Sequence, residues 1–215
     1  MTEDERRIVD AFHHLYYNGP QGGGGYTHLN TYWMGVLCQK CPLDLWIYQE
    51  ILFEQRPQLI IETGTFNGGS ALYLAHICDL LGQGHVITID IAERLRPPHE
   101  RITYVQGSSS DSEVIKTALA GHGDKENILV ILDSDHSEQH VLRELELLSP
   151  LVRVGGYLIV EDSNINGHPT YPEFGPGPYE AVGKFLQQNN GFEIDLSREK
   201  FMMTFNPRGY LKRMR

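Results

Sequence analysis

Apolar residues in this chain recur in two rhythms. Short unbroken runs at Leu59–Glu62, His85–Asp90, Arg101–Gln106, Ile128–Leu132 and Tyr157–Val160 are bounded by glycine, proline and polar residues, as expected of strands. Between them, apolar positions three and four apart predict helices over Pro42–Phe53, Ala71–Leu74 and onward, Glu113–Ala120, Ser137–Leu148 and Tyr179–Gln188. Pro42 and Asp44 read as the capped start of the first of these. Two further strands, Phe192–Leu196 and Phe201–Phe205, close the pattern. Continuous apolar strands alternating with helices predict a parallel sheet covered on both faces.

The chain ahead of Pro42 follows another pattern. Ile8, Ala11, Phe12 and Leu15 define an amphipathic helix over Glu3–Tyr17. The run Asn18-Gly19-Pro20-Gln21-Gly22-Gly23-Gly24-Gly25 cannot hold regular structure and reads as a linker or lid. Tyr26–Met34 is aromatic enough to close over a substrate or to pack as an edge. The expected organisation is residues 1–41 as a helix and glycine-rich lid segment, and residues 42–215 as a single α/β domain. Asn164–Pro178 is long and rich in proline and glycine, which makes it a candidate substrate loop. The basic tail Arg208–Arg215 reads as solvated or as a contact to a second subunit; with the N-terminal helix it is a candidate homo-oligomer contact.

The 215 residues allow one domain with a substantial core. A net charge of -10 argues against nucleic acid or an anionic membrane as the main partner. No apolar run is long enough for a membrane helix, and the charged start lacks a signal-peptide core, so a cytoplasmic location is expected. Three cysteines do not make a disulfide framework. Cys38-Gln39-Lys40-Cys41 spells C-x-x-C, but neither a helix N-terminus nor a second ligand pair accompanies it.

Two features carry chemistry. In Ile61-Glu62-Thr63-Gly64-Thr65-Phe66-Asn67-Gly68-Gly69-Ser70 a strand breaks into glycines and resumes as a helix, the place where doubly wound folds lay a cofactor against the backbone. Asp90, at the end of the next strand, stands where such folds bind a ribose. Gly107-Ser108-Ser109-Ser110 follows the third strand and could face an adenine edge, while Ser110 or Asp111 could equally cap the next helix. The glycine spacing is not G-x-G-x-x-G, which ranks a nicotinamide-dependent oxidoreductase second. The other feature is acidic: Asp133-Ser134-Asp135-His136 and Glu161-Asp162 end two neighbouring strands. Carboxylates converging there would repel unless a cation lay between them, and all-oxygen ligation suits Mg2+, with Ca2+ or Mn2+ as alternatives. Arg143, Arg153 and Lys184 are the alternative partners for these acids. A proton acceptor is also needed, for which His136 is the first candidate and His168 and His28 are weaker ones.

The E-x-G-x-x-x-G-G-S form resembles the first motif of S-adenosylmethionine-dependent methyltransferases. With Pro42-x-Asp44-Leu45-x-x-Tyr48-Gln49-Glu50, Leu132-Asp133-Ser134-Asp135-His136, Val160-Glu161-Asp162 and Gly175-Pro176-Gly177-Pro178, the chain from Pro42 to Phe205 resembles the CmcI-type cephalosporin hydroxylase family. The resemblance implies a Rossmann-like, doubly wound, mostly parallel seven-stranded sheet of the class I methyltransferase type. It implies an O-methyltransferase acting on a small-molecule hydroxyl, a sugar or secondary metabolite. S-adenosylmethionine would contact Glu62, Gly64, Thr65, Asn67, Gly69, Ser70, Asp90, Gly107, Ser108, Ser109 and Asp133. Asp135, Glu161 and Asp162 match the family's metal ligands, with Asp133 able to replace Asp135, and Asp135 and His136 would serve catalysis. The historical family name leaves open a third reading, a non-catalytic cofactor-binding partner of another enzyme.

Overall fold

The computed structural model describes all residues except 22–24 and 124, and the side chains of 18, 20, 21 and 25 are likewise outside it. The central glycines of the expected lid therefore lie outside the described residues. The main sheet contains β1 (Leu59–Thr63), β2 (Val86–Asp90), β3 (Ile102–Gln106), β4 (Ile128–Leu132), β5 (Tyr157–Val160), β6 (Phe192–Ile194) and β7 (Tyr210–Arg213). Their order is β6-β7-β5-β4-β1-β2-β3. Five strands run parallel, and β7 lies antiparallel to both β5 and β6. The helices are α1 (Glu3–Asn18), α2 (Pro42–Gln55), α3 (Gly69–Leu81), α4 (Ser112–Ala120), α5 (Glu138–Leu148) and α6 (Pro178–Gln188).

The strand period of two distributes the apolar runs between two cores. Leu59, Ile61, Ile87, Ile89, Val130, Leu132, Leu158 and Val160 face α4, α5 and α6. Their neighbours Ile60, Val86, Leu129, Ile131 and Ile159 face Ile47, Ile51 and Leu52 of α2 and Leu74, Ala75 and Cys78 of α3. Because both faces are covered, β4 and β5 carry apolar residues at every position rather than alternate ones. Among the described residues no helix is long and apolar enough to cross a membrane.

Three expectations are corrected. Phe201–Phe205 is not a strand: Met203 and Phe205 leave the sheet and pack with Cys41 against Val9, Tyr16 and Tyr17 of the first helix. The basic tail is not a free segment, although Met214 and Arg215 at its end are exposed. It supplies β7, where Tyr210 joins one core and Leu211 the other, both fully buried. Asp44 does not cap α2, whose N-cap Cys41 makes no side-chain cap bond. Its buried carboxylate instead accepts from Phe205 N (2.8 Å), Tyr210 OH (2.9 Å) and the Thr204 hydroxyl. Of the two candidates for the cap of α4, Asp111 takes the place and accepts from Glu113 N at 2.9 Å.

The N-terminal segment lies on the domain. His13 stacks on Phe205 at 5.5 Å and its Nε2 lies 3.0 Å from Asn164 Nδ2. Residues Thr27–Asn30 form a 3-10 turn, and Tyr32–Trp33 pairs with Val36–Leu37 as a short hairpin. Trp33 packs edge-on against Tyr73 and donates to His76 Nδ1 at 3.0 Å. The hairpin leads into Cys38–Cys41, which runs under the carboxyl ends of the strands.

Candidate active site

A cavity of about 650 Å3 opens along the carboxyl ends of β1, β2, β3, β4 and β5. Its size falls within the range of small-molecule sites. At its floor Gly64 takes φ +83°, and a Cβ there would run into the Asp133 carbonyl. Only glycine permits both the dihedral and the approach of β1 and β4 at this point. Gly69 is equally confined, against the backbone of Leu37 and Cys38. Gly64, Thr65, Gly69, Ser70, Asp90, Gly107, Ser108, Ser109 and Asp133 all line the cavity.

Two of the residues expected to contact the cofactor do not line it. Asn67 is half-buried beside the turn. Glu62 is fully buried beneath it, accepting from Thr88 Oγ1 at 2.6 Å, with its other oxygen unpartnered. Burial raises its pKa, against the pull of Lys40. Asp90 is held from three sides: Phe66 N and Ala92 N each donate at 2.8 Å, and Arg96 Nη2 lies 3.3 Å away. A carboxylate has about four acceptor directions, so Asp90 keeps capacity for a hydroxyl in the cavity.

The acids at the ends of β4 and β5 separate into three roles. Asp133, His136 and Asp162 present ligand atoms within 4.8 Å of one another and all line the cavity. Asp162 has φ +52°, an unusual dihedral for a non-glycine residue. Its N–H is fixed by Asn206 Oδ1 at 3.2 Å, its carbonyl accepts from Ile165 N, and its carboxylate lies 3.3 Å from His136 Nε2. Burial raises the Asp162 pKa, with His136 opposing. Asp135 also lines the cavity but accepts from Ser137 N at 2.8 Å, and the Ser137 hydroxyl together with that N–H lowers its pKa. Glu161 is buried and lines neither cavity described here. Thus Asp162, of the three residues matched as metal ligands, stands in the cluster, and Asp133 stands where Asp135 was expected.

The cation beside these acids is Lys40, which sequence reasoning missed. Its Nζ lies 2.7 Å from Glu161 Oε2 and contacts Asp133 as well. Arg143 pairs with Glu146, Lys184 with Glu138, and Arg153 bonds Asn127. A single lysine between two cysteines carries no signal of its partners, which are 93 and 121 residues away. Also unforeseen is His140. It lines the cavity, and its Nε2 is 3.2 Å from Ser109 Oγ and 3.1 Å from Ser134 Oγ. The carboxylate of Glu144, fully buried behind it, accepts from Ser134 Oγ at 2.7 Å and raises the His140 pKa.

A second cavity, about 310 Å3, adjoins the first at His136. Tyr17, Tyr26, His28, Leu29, Ile165, Tyr171 and Phe174 line the rest of it, so the aromatic segment and the long loop meet there. His28 is stacked on Tyr17 at 4.1 Å. His168 is turned away, 2.9 Å from Glu180 Oε1 and stacked on Tyr179.

The family described as rhamnosyl O-methyltransferase/CmcI matches residues 26–214. The chain belongs to this family. It is 43% identical over 219 residues to a rhamnosyl O-methyltransferase of Mycobacterium tuberculosis, covering 96% of this chain and 85% of that protein. A Mycobacterium leprae protein of the same name is 41% identical over 215 residues, covering 96% and 90%. Among solved structures, "CmcI-N160 apo-structure" superposes with a TM-score of 0.68 at 25% identity, covering 91% of this chain and 81% of that one. "cmcI-D160 Mg-SAM" gives 0.68 at 24%, covering 92% and 82%. This chain is therefore a class I methyltransferase, and the oxidoreductase and non-catalytic readings fall away.

Proposed function

We propose that this methyltransferase moves a methyl group from S-adenosylmethionine to a hydroxyl of a sugar-bearing small molecule, with a divalent ion at Asp133 and Asp162. The observation that carries the reading is His136, which belongs to both cavities at once. A donor in the larger cavity and an acceptor in the smaller one would meet at this side chain. The name of the mycobacterial relatives makes rhamnosyl glycosides the first acceptors to try.

The residues divide the work. Gly64, Thr65, Gly69 and Ser70 would bed the methionine part against backbone, Asp90 would accept from ribose hydroxyls, and Ser108 and Ser109 would face the adenine. Tyr17, Tyr26 and Phe174 offer flat apolar faces to the acceptor. Methyl transfer is a displacement that demands alignment of oxygen, carbon and sulfur, so positioning supplies much of the rate. As the C–O bond forms and the S–C bond breaks, the acceptor oxygen loses its proton. His136 takes it, and Asp162, 3.3 Å from Nε2, stabilises the imidazolium that results.

The oxygen donors of Asp133 and Asp162 fit a hard ion. A bound ion would lower the hydroxyl's pKa and fix its angle. The test is incubation with labelled S-adenosylmethionine and rhamnosides, with and without Mg2+ after chelation. Methylated glycoside formed only with metal is the expected result. Full turnover in chelator would remove the ion from the reading, and cofactor binding without methylation of any sugar would remove the acceptor.

A further inference from the structure

Glu144 is a buried acid that the methyl transfer leaves unused. It is fully buried on α5, the helix that gives Val141, Leu145 and Leu148 to the core, and its Oε2 has no hydrogen-bond partner among the described residues. Packing alone does not account for a carboxylate there, because a buried polar group without its partners is costly. Its other oxygen leads to the larger cavity. Glu144 Oε1 accepts from Ser134 Oγ at 2.7 Å, Ser134 Oγ lies 3.1 Å from His140 Nε2, and His140 Nε2 lies 3.2 Å from Ser109 Oγ. Ser109, Ser134 and His140 all line that cavity, and Ser109 is only 4% exposed.

The hydrogens along this chain can be assigned. A hydroxyl has one hydrogen, and Ser134 gives its own to Glu144. Toward His140 the Ser134 oxygen can then only accept, so Nε2 carries a hydrogen whether the ring is neutral or charged. That N–H also faces Ser109 Oγ, which accepts a share of it and keeps its own hydrogen to give. Inside the protein this hydrogen meets the Ser134 oxygen at 3.3 Å, a long bond that a nitrogen lone pair in the cavity would improve on. We propose that Glu144, through Ser134 and His140, fixes Ser109 as a hydrogen-bond donor to the cofactor's base, so that the cavity accepts adenine, whose N1 is a bare lone pair, and rejects hypoxanthine, whose N1 carries a hydrogen. Ser109 touches the base, while His140 and Glu144 are positioning residues. None of the three lines the smaller cavity, so the acceptor does not depend on them.

This inference rests on S-adenosylmethionine as the methyl donor. Calorimetric titration of the purified protein with S-adenosylhomocysteine and with its deaminated counterpart, S-inosylhomocysteine, tests it. Wild type is expected to bind the adenosine compound more tightly by about tenfold or more, as a site that reads one polar position does. Ser109→Ala should remove most of that preference. Glu144→Leu, which suits the apolar surroundings but takes away the carboxylate, should do the same from outside the cavity. Glu144→Gln keeps an acceptor oxygen for Ser134 and should keep the preference. A purely structural role for Glu144 would weaken both compounds together and leave their ratio unmoved. Equal binding of the two by wild type would overturn the proposal, and so would a preference that survives in folded Ser109→Ala or Glu144→Leu protein. No binding of S-adenosylhomocysteine at all would remove the donor itself, and this inference with it.

Discussion

His136 Nε2 and Asp162 Oδ2 stand 3.3 Å apart at the wall that the two cavities share. Asp162 reaches that place by a left-handed backbone turn at the end of β5, held open by Asn206. The pair gives the imidazole an orientation and gives a positive charge on it a partner. Replacing His136 with glutamine keeps a polar side chain but removes the proton acceptor. The expected loss in kcat is about 10²–10⁴-fold, the usual range for general-base catalysis. Single-turnover rates at saturating S-adenosylmethionine check this, with cofactor binding measured alongside.

Asp90 should matter to the donor and not to the acceptor. Its oxygens already accept from Phe66 and Ala92, so the side chain is aimed before any ligand arrives. Asp90→Ala removes the proposed ribose acceptor and frees two loop N–H groups. Hydrogen bonds to a charged group contribute about 1.5–3 kcal/mol, so calorimetry should show S-adenosylmethionine affinity falling by roughly 10–150-fold. An unchanged affinity would place the ribose elsewhere.

The last residues are part of the core. Leu211 is fully buried among the strands and α5 and α6 side of the sheet, and β7 joins β5 to β6. Leu211→Ala should cost about 2–5 kcal/mol, as for other buried leucines. Denaturant unfolding gives the figure. Removal of residues 208–215 should leave no cooperative transition, since β6 would lose its neighbour.

How much of this was legible follows from where each signal is stored. The buried parallel strands announce themselves, because Ile128–Leu132 must be apolar on both faces. The glycine turn and Asp90 are also local patterns, and Gly64, Gly69 and Asp90 line the cavity. The ends of the chain misled for a physical reason. Phe201–Phe205 has the apolar run of a strand, but its Met203 and Phe205 serve the N-terminal helix; β7 shows only two apolar residues among basic ones. In the acidic cluster, residue types were readable and their division was not. Whether Asp133 or Asp135 faces Asp162 depends on the turn after β4, and what Glu161 touches depends on Lys40, far away in sequence.

Asp44 offers a test of stability that leaves the cavities untouched. Its carboxylate is buried under Thr204, Phe205 and Tyr210, and burial raises its pKa to about 6, against the opposing pull of those hydrogen bonds. The folded protein therefore holds this proton more tightly than the unfolded chain does, whose ordinary value is 3.8. The resulting stabilisation is complete below the unfolded value and is lost as pH rises through about 6. The gap between 3.8 and about 6 corresponds to up to about 3 kcal/mol. Asp44→Asn cannot titrate, so it should be less stable than wild type at pH 4 and its deficit should shrink by pH 7. Paired unfolding curves at several pH values measure the difference directly, with the other titrating groups common to both proteins. A deficit that stays constant or grows with pH would mean that the hydrogen bonds outweigh burial and that Asp44 is ionised in the folded core throughout.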